Sequence, residues 1–265
     1  MILSHKFFKK MERKIDKRGQ IAIFVVVAVV IVGVIVAIFL FPQINVFAGE
    51  VDPSSYLKDC MEQDTTETME LLASQGGYLN PENYVLYQDN KFTYLCYSSE
   101  NYKTCTVQQP LIKANFEKEL KAQIEPRARQ CVRDLEEQYK KRGYEVESSS
   151  GELNVSFVPG RLVLSFLSPM TIRKEGVQTF RQFTTSLDTE MYDLLMTASS
   201  IIDFESTLGD TDTLLYIQYY PDLTIDKLKR DGDTLYILGN VLTEEEFKFA
   251  SRSLVWPPGY GLEEI

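Results

Sequence analysis

The sequence predicts an α+β protein: an N-terminal transmembrane helix followed by an extracytoplasmic domain of two or three helices and antiparallel β-sheet. Three observations carry this. Residues 21–41 form an apolar bar, IAIFVVVAVVIVGVIVAIFLF, without a charge. Stripes of helical period recur beyond it, and runs of period two flank turn dipeptides.

The chain opens on a basic head, residues 1–20, in which Lys6, Lys9, Lys10, Arg13, Lys14, Lys17 and Arg18 outweigh Glu12 and Asp16. The bar that follows is 21 residues long, or about 32 Å as a helix, which matches a bilayer core of roughly 30 Å. Thirteen of its residues are Val or Ile, strand formers in water. In lipid an isolated segment satisfies its backbone groups only as a helix, so helix is expected. Cations precede the bar and are sparse after it until Lys58, which keeps the head in the cytoplasm and places the remainder outside. A cleaved secretory signal ending at Val46-Phe47-Ala48 is the competing reading, but the bar is longer than a usual signal core.

A linker at 42–51 leads to one domain over 52–256, with a sub-boundary near 143 as an option, and then a tail at 257–265. Asp52 caps a first helix, Pro53 opens it, and Gly76-Gly77 closes it near Gln75. Residues 84–107 read as Tyr-rich strands. A two-residue loop at Glu100-Asn101 sets Cys96 opposite Cys105. Pro110 begins a helix striped by Ile112, Phe116, Leu120, Ile124, Ala128, Cys131, Leu135 and Tyr139, with a kink or break at Pro126 and an end at Gly143. Leu153–Phe157 and Leu162–Phe166 alternate around Pro159-Gly160 as a hairpin, and strands follow around Lys174-Glu175-Gly176. Asp188 is read as the cap of a third helix carrying Met191, Leu194, Leu195, Ala198, Ile201 and Ile202. Strands are expected at Leu214–Tyr220, 223–229, Leu235–Leu238 and Phe247–Val255, and the tail is expected to be extended.

Composition narrows function more than it identifies it. Apolar residues at 44% and charged residues at 25% describe a folded chain. A net charge of -10 argues against bulk binding of nucleic acid. The single His5 excludes most zinc sites, Ser-His-Asp triads and Cys-His dyads. All four cysteines, Cys60, Cys96, Cys105 and Cys131, follow the bar, as expected of an exported domain with two bridges. Strand register pairs Cys96 with Cys105, which leaves Cys60 for Cys131.

Catalytic motifs are sparse. Ser55-Tyr56-Leu57-Lys58 matches SxxK without its supporting elements and reads as a first helical turn. Asp210-Thr211-Asp212 and Asp231-Gly232-Asp233 lack the twelve-residue calcium loop and read as turns. Glu136-Glu137 and Glu244-Glu245-Glu246 read as solvated faces, and no phosphate-cradling Gly loop is present. No cofactor, metal ligand or catalytic residue is assigned. Asn154-Val155-Ser156 is a glycosylation sequon placed on the solvent face by alternation.

Lys17-Arg18-Gly19-Gln20 before the bar resembles the class III signal of archaeal type IV pilin-like proteins. That resemblance implies a cut between Gly19 and Gln20, with the apolar helix packed into a filament core. Where the family carries a polar or acidic residue shortly after the cut, this chain has Ala22, Ile23 and Phe24. The sequence also resembles uncharacterised single-span surface proteins of small-genome archaea in the basic-Gly-Gln start, Gln75-Gly76-Gly77-Tyr78 and Phe247-Lys248-Phe249-Ala250. The expectation is a single-pass envelope protein with a structural or interaction role. Its partners would be the lipid bilayer and other envelope proteins, or further copies through the apolar helix. The alternatives are a filament subunit and an exported hydrolase.

Overall fold

The structure, a computed structural model, describes residues 27–33, 52–149 and 151–255. The chain divides into two compact units, Met1–Val51 and Asp52–Ile265. In the first, residues 27–33 form helix α1 with exposed side chains. The rest of the expected 21–41 span lies outside the described residues, as do the head, the Gly19–Gln20 junction and the tail. Among the described residues no helix is long and apolar enough to cross a membrane.

The second unit is α+β. It begins with α2 (Pro53–Ser74), where the Asp52 carboxylate accepts the Ser55 N–H at 2.8 Å. The helix stops at Gly76 and Gly77, both with positive φ, and Gly77 N–H returns to Leu72 O at 2.8 Å. The stop is also a dock: the Thr93 hydroxyl donates to Gln75 O at 2.5 Å.

Strands β1 (Tyr84–Tyr87), β2 (Asn90–Tyr97) and β3 (Thr106–Val107) precede α3 (Ile112–Lys141). The stripe predicted for α3 is buried from Ile112 to Tyr139. Pro126 neither breaks nor divides this helix, contrary to expectation. Pro126 and Ala122, whose carbonyl loses its donor, both lie on the exposed face, where the carbonyl is open to solvent.

Six strands then follow along a chain that doubles back twice. β4 (Glu145–Ser148) and β5 (Glu152–Val158) form its first arm. β6 (Arg161–Leu167) and β7 (Met170–Arg173) form its second, and β8 (Val177–Phe180) and β9 (Phe183–Asp188) its third. They build two three-stranded antiparallel sheets, β4-β7-β8 and β5-β6-β9. Residue 151 lies between the two sheets in the first arm. Gly151 is needed there, since a Cβ would lie 2.6 Å from Ser168 Cβ and 2.7 Å from Leu167 O.

Helix α4 (Met191–Leu208), the short α5 (Leu214–Tyr219) and strands β10 (Leu223–Arg230), β11 (Asp233–Asn240) and β12 (Glu246–Arg252) complete the unit. The main sheet runs β1-β2-β12-β11-β10 with β3 on β2, and only β12 and β2 are parallel. Helices α2 and α4 each contact both this sheet and the β5-β6-β9 sheet. Phe116 of α3 meets Phe157 of β5 at 5.4 Å and Phe247 of β12 at 6.3 Å between ring centroids, so one side chain touches both sheets.

Four further expectations are corrected. Leu214–Tyr220 is helical rather than extended, because the Asp212 carboxylate accepts the Leu214 N–H at 3.0 Å and Pro221 ends the turn. Asp188 closes β9. The start of α4 is instead satisfied by Thr189, which takes the Met191 N–H at 3.1 Å, and by Glu245, which takes the Glu190 N–H at 2.7 Å. Glu245 is therefore not part of a solvated face. In the β2–β3 pair, Cys96 sits opposite Val107 rather than Cys105. The loop widens because Ser98 N–H goes to Arg252 O and Tyr102 N–H to Leu254 O, with Tyr102 at φ 64°.

Candidate functional site

Two disulfides close the cysteine set. Cys60–Cys131 joins α2 to α3 at a Cα separation of 6.0 Å, and Cys96–Cys105 bridges the β2–β3 loop diagonally at 5.3 Å. Both pairings match those expected from the sequence, the second despite the altered register. The Asn154 side chain stands on the exposed face of β5. Ser55 and Lys58 lie in the first turns of α2, and Asp210 and Asp212 act in local structure.

The recess best suited to bind something lies between α4 and α5. Helix α4 turns Leu194, Leu195, Ala198, Ile201 and Ile202 into the core, and its outer face carries Met196, Ser200, Phe204 and Leu208. Helix α5 sits beside β10, across the recess from that outer face, and buries none of its own residues. One hydrogen bond ties the two helices, between the hydroxyls of Ser200 and Tyr216 at 2.7 Å. Leu214 remains 72% exposed and Tyr219 77% exposed, a concentration of apolar surface that ordinary folded exteriors avoid.

Two cavities flank α5 and share Ser200, Tyr216 and Tyr220. The larger, about 640 Å³, is lined by Phe204, Leu208, Leu215 and Tyr219. The smaller, about 350 Å³, has an acidic wall of Glu190, Asp193 and Asp222. Burial raises the Glu190 pKa, and the charges of Asp193 and Glu245 raise it further. Among the described residues no Lys or Arg lines either cavity.

Comparison with known proteins adds no family. No family model, no curated protein and no solved structure matches the chain.

Beneath the larger cavity lies a buried polar cluster. Glu205, only 1% exposed, accepts hydrogen bonds from the Tyr236 and Ser251 hydroxyls, the latter at 2.8 Å. Lys227 sits 5.7 Å above the Tyr236 ring, pairs with Asp210 at 2.5 Å and donates to Thr211 O at 2.6 Å. Burial works against ionisation of Asp210, yet Lys227 and Lys229 hold its pKa below the usual carboxyl range. Burial raises Glu205, only partly offset by its two hydroxyl donors. Buried in this way, Glu205 ties α4 to β11 and β12.

Neither the recess nor this cluster was singled out from sequence. Glu205 carried a signal nonetheless, because it continues the buried stripe of Ala198, Ile201 and Ile202 at helical spacing.

Proposed function

We propose that this chain is a membrane-anchored protein whose disulfide-bonded α+β domain faces outward and acts as a structural or interaction component of the cell envelope. The observation that carries the reading is the pairing of all four cysteines in the domain, which fits an oxidising compartment. The basic head and apolar bar of the sequence supply the anchor and its orientation. The apolar recess between α4 and α5 is the natural contact surface, since its larger cavity offers aromatic and aliphatic walls. Alkaline washing of membranes tests the anchor: retention of the full-length chain is expected, and release would refute it.

The pilin-like alternative rests on Lys17-Arg18-Gly19-Gln20. Mass spectrometry of the native N-terminus separates the two, since a mature chain starting at Gln20 favours a filament subunit and an intact head favours the anchor. The hydrolase alternative gains one observation, the Glu190–Asp193 carboxylate pair in the smaller cavity. Hydrolysis of a glycoside or ester panel, abolished by Glu190→Gln, would establish it.

A further inference from the structure

The described chain leaves β12 and runs to Val255, which packs directly on Gly209; a Cβ built there would run into the Val255 side chain. Gly209 follows Leu208 and precedes Asp210, and both line the larger cavity. The described chain thus ends beside two residues that line the apolar recess. The ten residues that follow in the sequence are WPPGYGLEEI.

We propose that residues 256–262 of this segment dock in the recess between α4 and α5 of the same chain. Reach permits it: ten residues extend at most about 33 Å, whereas the six-residue α5 is about 9 Å long. Chemistry favours it as well. Trp256, Tyr260 and Leu262 offer apolar bulk to a wall of Phe204, Leu215, Tyr216 and Tyr219. Pro257 and Pro258 fix φ and hold Trp256 to extended conformations, which lowers the ordering entropy. Extended proline segments seated on aromatic grooves are a recurrent recognition mode. Glu263 and Glu264 follow the apolar stretch in the sequence and are left out of the docked residues, since Asp210 and Asp212 line the recess. The proposal deepens the interaction reading by naming the resting occupant of its recess, and an outside partner would have to displace it. It rests on the recess and not on the anchor.

Trp256 is the only tryptophan in the chain, so its fluorescence reads the docking directly. In the purified full-length protein its emission is expected to be blue-shifted and resistant to iodide, independent of protein concentration. Leu215→Asp, at a position already 53% exposed, leaves the fold intact and returns the emission to that of the free peptide WPPGYGLEEI. Peptide-like emission in the unmodified chain overturns the proposal. So does a blue shift that survives both Leu215→Asp and Tyr219→Ala, which would place Trp256 elsewhere. A blue shift lost on dilution also overturns it, in favour of the recess of a second copy. None of these readings depends on membrane topology, so the anchor and the docking stand or fall separately.

Discussion

Tyr236 of β11 donates its phenolic hydrogen to Glu205 of α4 deep inside the domain, while Ser251 of β12 donates to the other carboxylate oxygen at 2.8 Å. One acid thereby joins a helix to two neighbouring strands. Truncation by Glu205→Ala leaves two buried hydroxyls without an acceptor, and each orphaned group costs about 1–3 kcal/mol. The variant is expected to unfold at clearly lower denaturant than the parent, and an unchanged midpoint would remove this cluster from the account.

The same acid gives a pH dependence. Burial raises the Glu205 pKa in the folded state, so the folded protein keeps a proton that the unfolded chain releases between the ordinary and the raised values. This contribution to stability falls as pH rises through that interval and is regained on acidification. The stability of the parent minus that of Glu205→Gln should therefore decrease with rising pH. A difference flat across the interval would show that Glu205 does not titrate there.

Of the two bridges, Cys60–Cys131 closes the longer loop, with a sequence separation of 71 against 9 for Cys96–Cys105. Chain entropy assigns about 4 kcal/mol to the first and about 3 kcal/mol to the second. Replacing Cys60 and Cys131 together by Ala should lower Tm more than replacing Cys96 and Cys105. The reverse order would mean that native packing, rather than loop closure, governs their effect.

Two backbone positions are expected to move stability in opposite directions. Gly151→Ala forces a Cβ into the Ser168 side chain and the Leu167 carbonyl, and overpacking of this kind costs about 1–3 kcal/mol. Pro126→Ala restores a donor in the middle of α3 and should stabilise by up to about 3 kcal/mol. Thermal melts of the two variants check both signs.

These positions also show what the sequence made legible. The α3 stripe, the Pro159-Gly160 hairpin and the Asp52 cap depend on neighbours in the chain, and periodicity and turn chemistry reveal them. The recess depends on tertiary placement. Phe204 and Leu208 project from one helix and Leu215 and Tyr219 from another, and no local pattern ties them together. Helix α5 itself was hidden because LLYIQY is rich in apolar and aromatic side chains, so it looks like a strand until Asp212 and Pro221 are weighed. Register at Cys96 was misread for a related reason: hydrogen bonds from Ser98 and Tyr102 to the distant β12 end, not the Glu100-Asn101 dipeptide, shape that loop.

The central proposal is a domain oxidised and displayed outside the cell. Peptide mapping of the protein taken from native membranes, alkylated at lysis and digested without reduction, tests it most directly. The account predicts two linked species, Cys60 with Cys131 and Cys96 with Cys105. Recovery of four alkylated free thiols would contradict it.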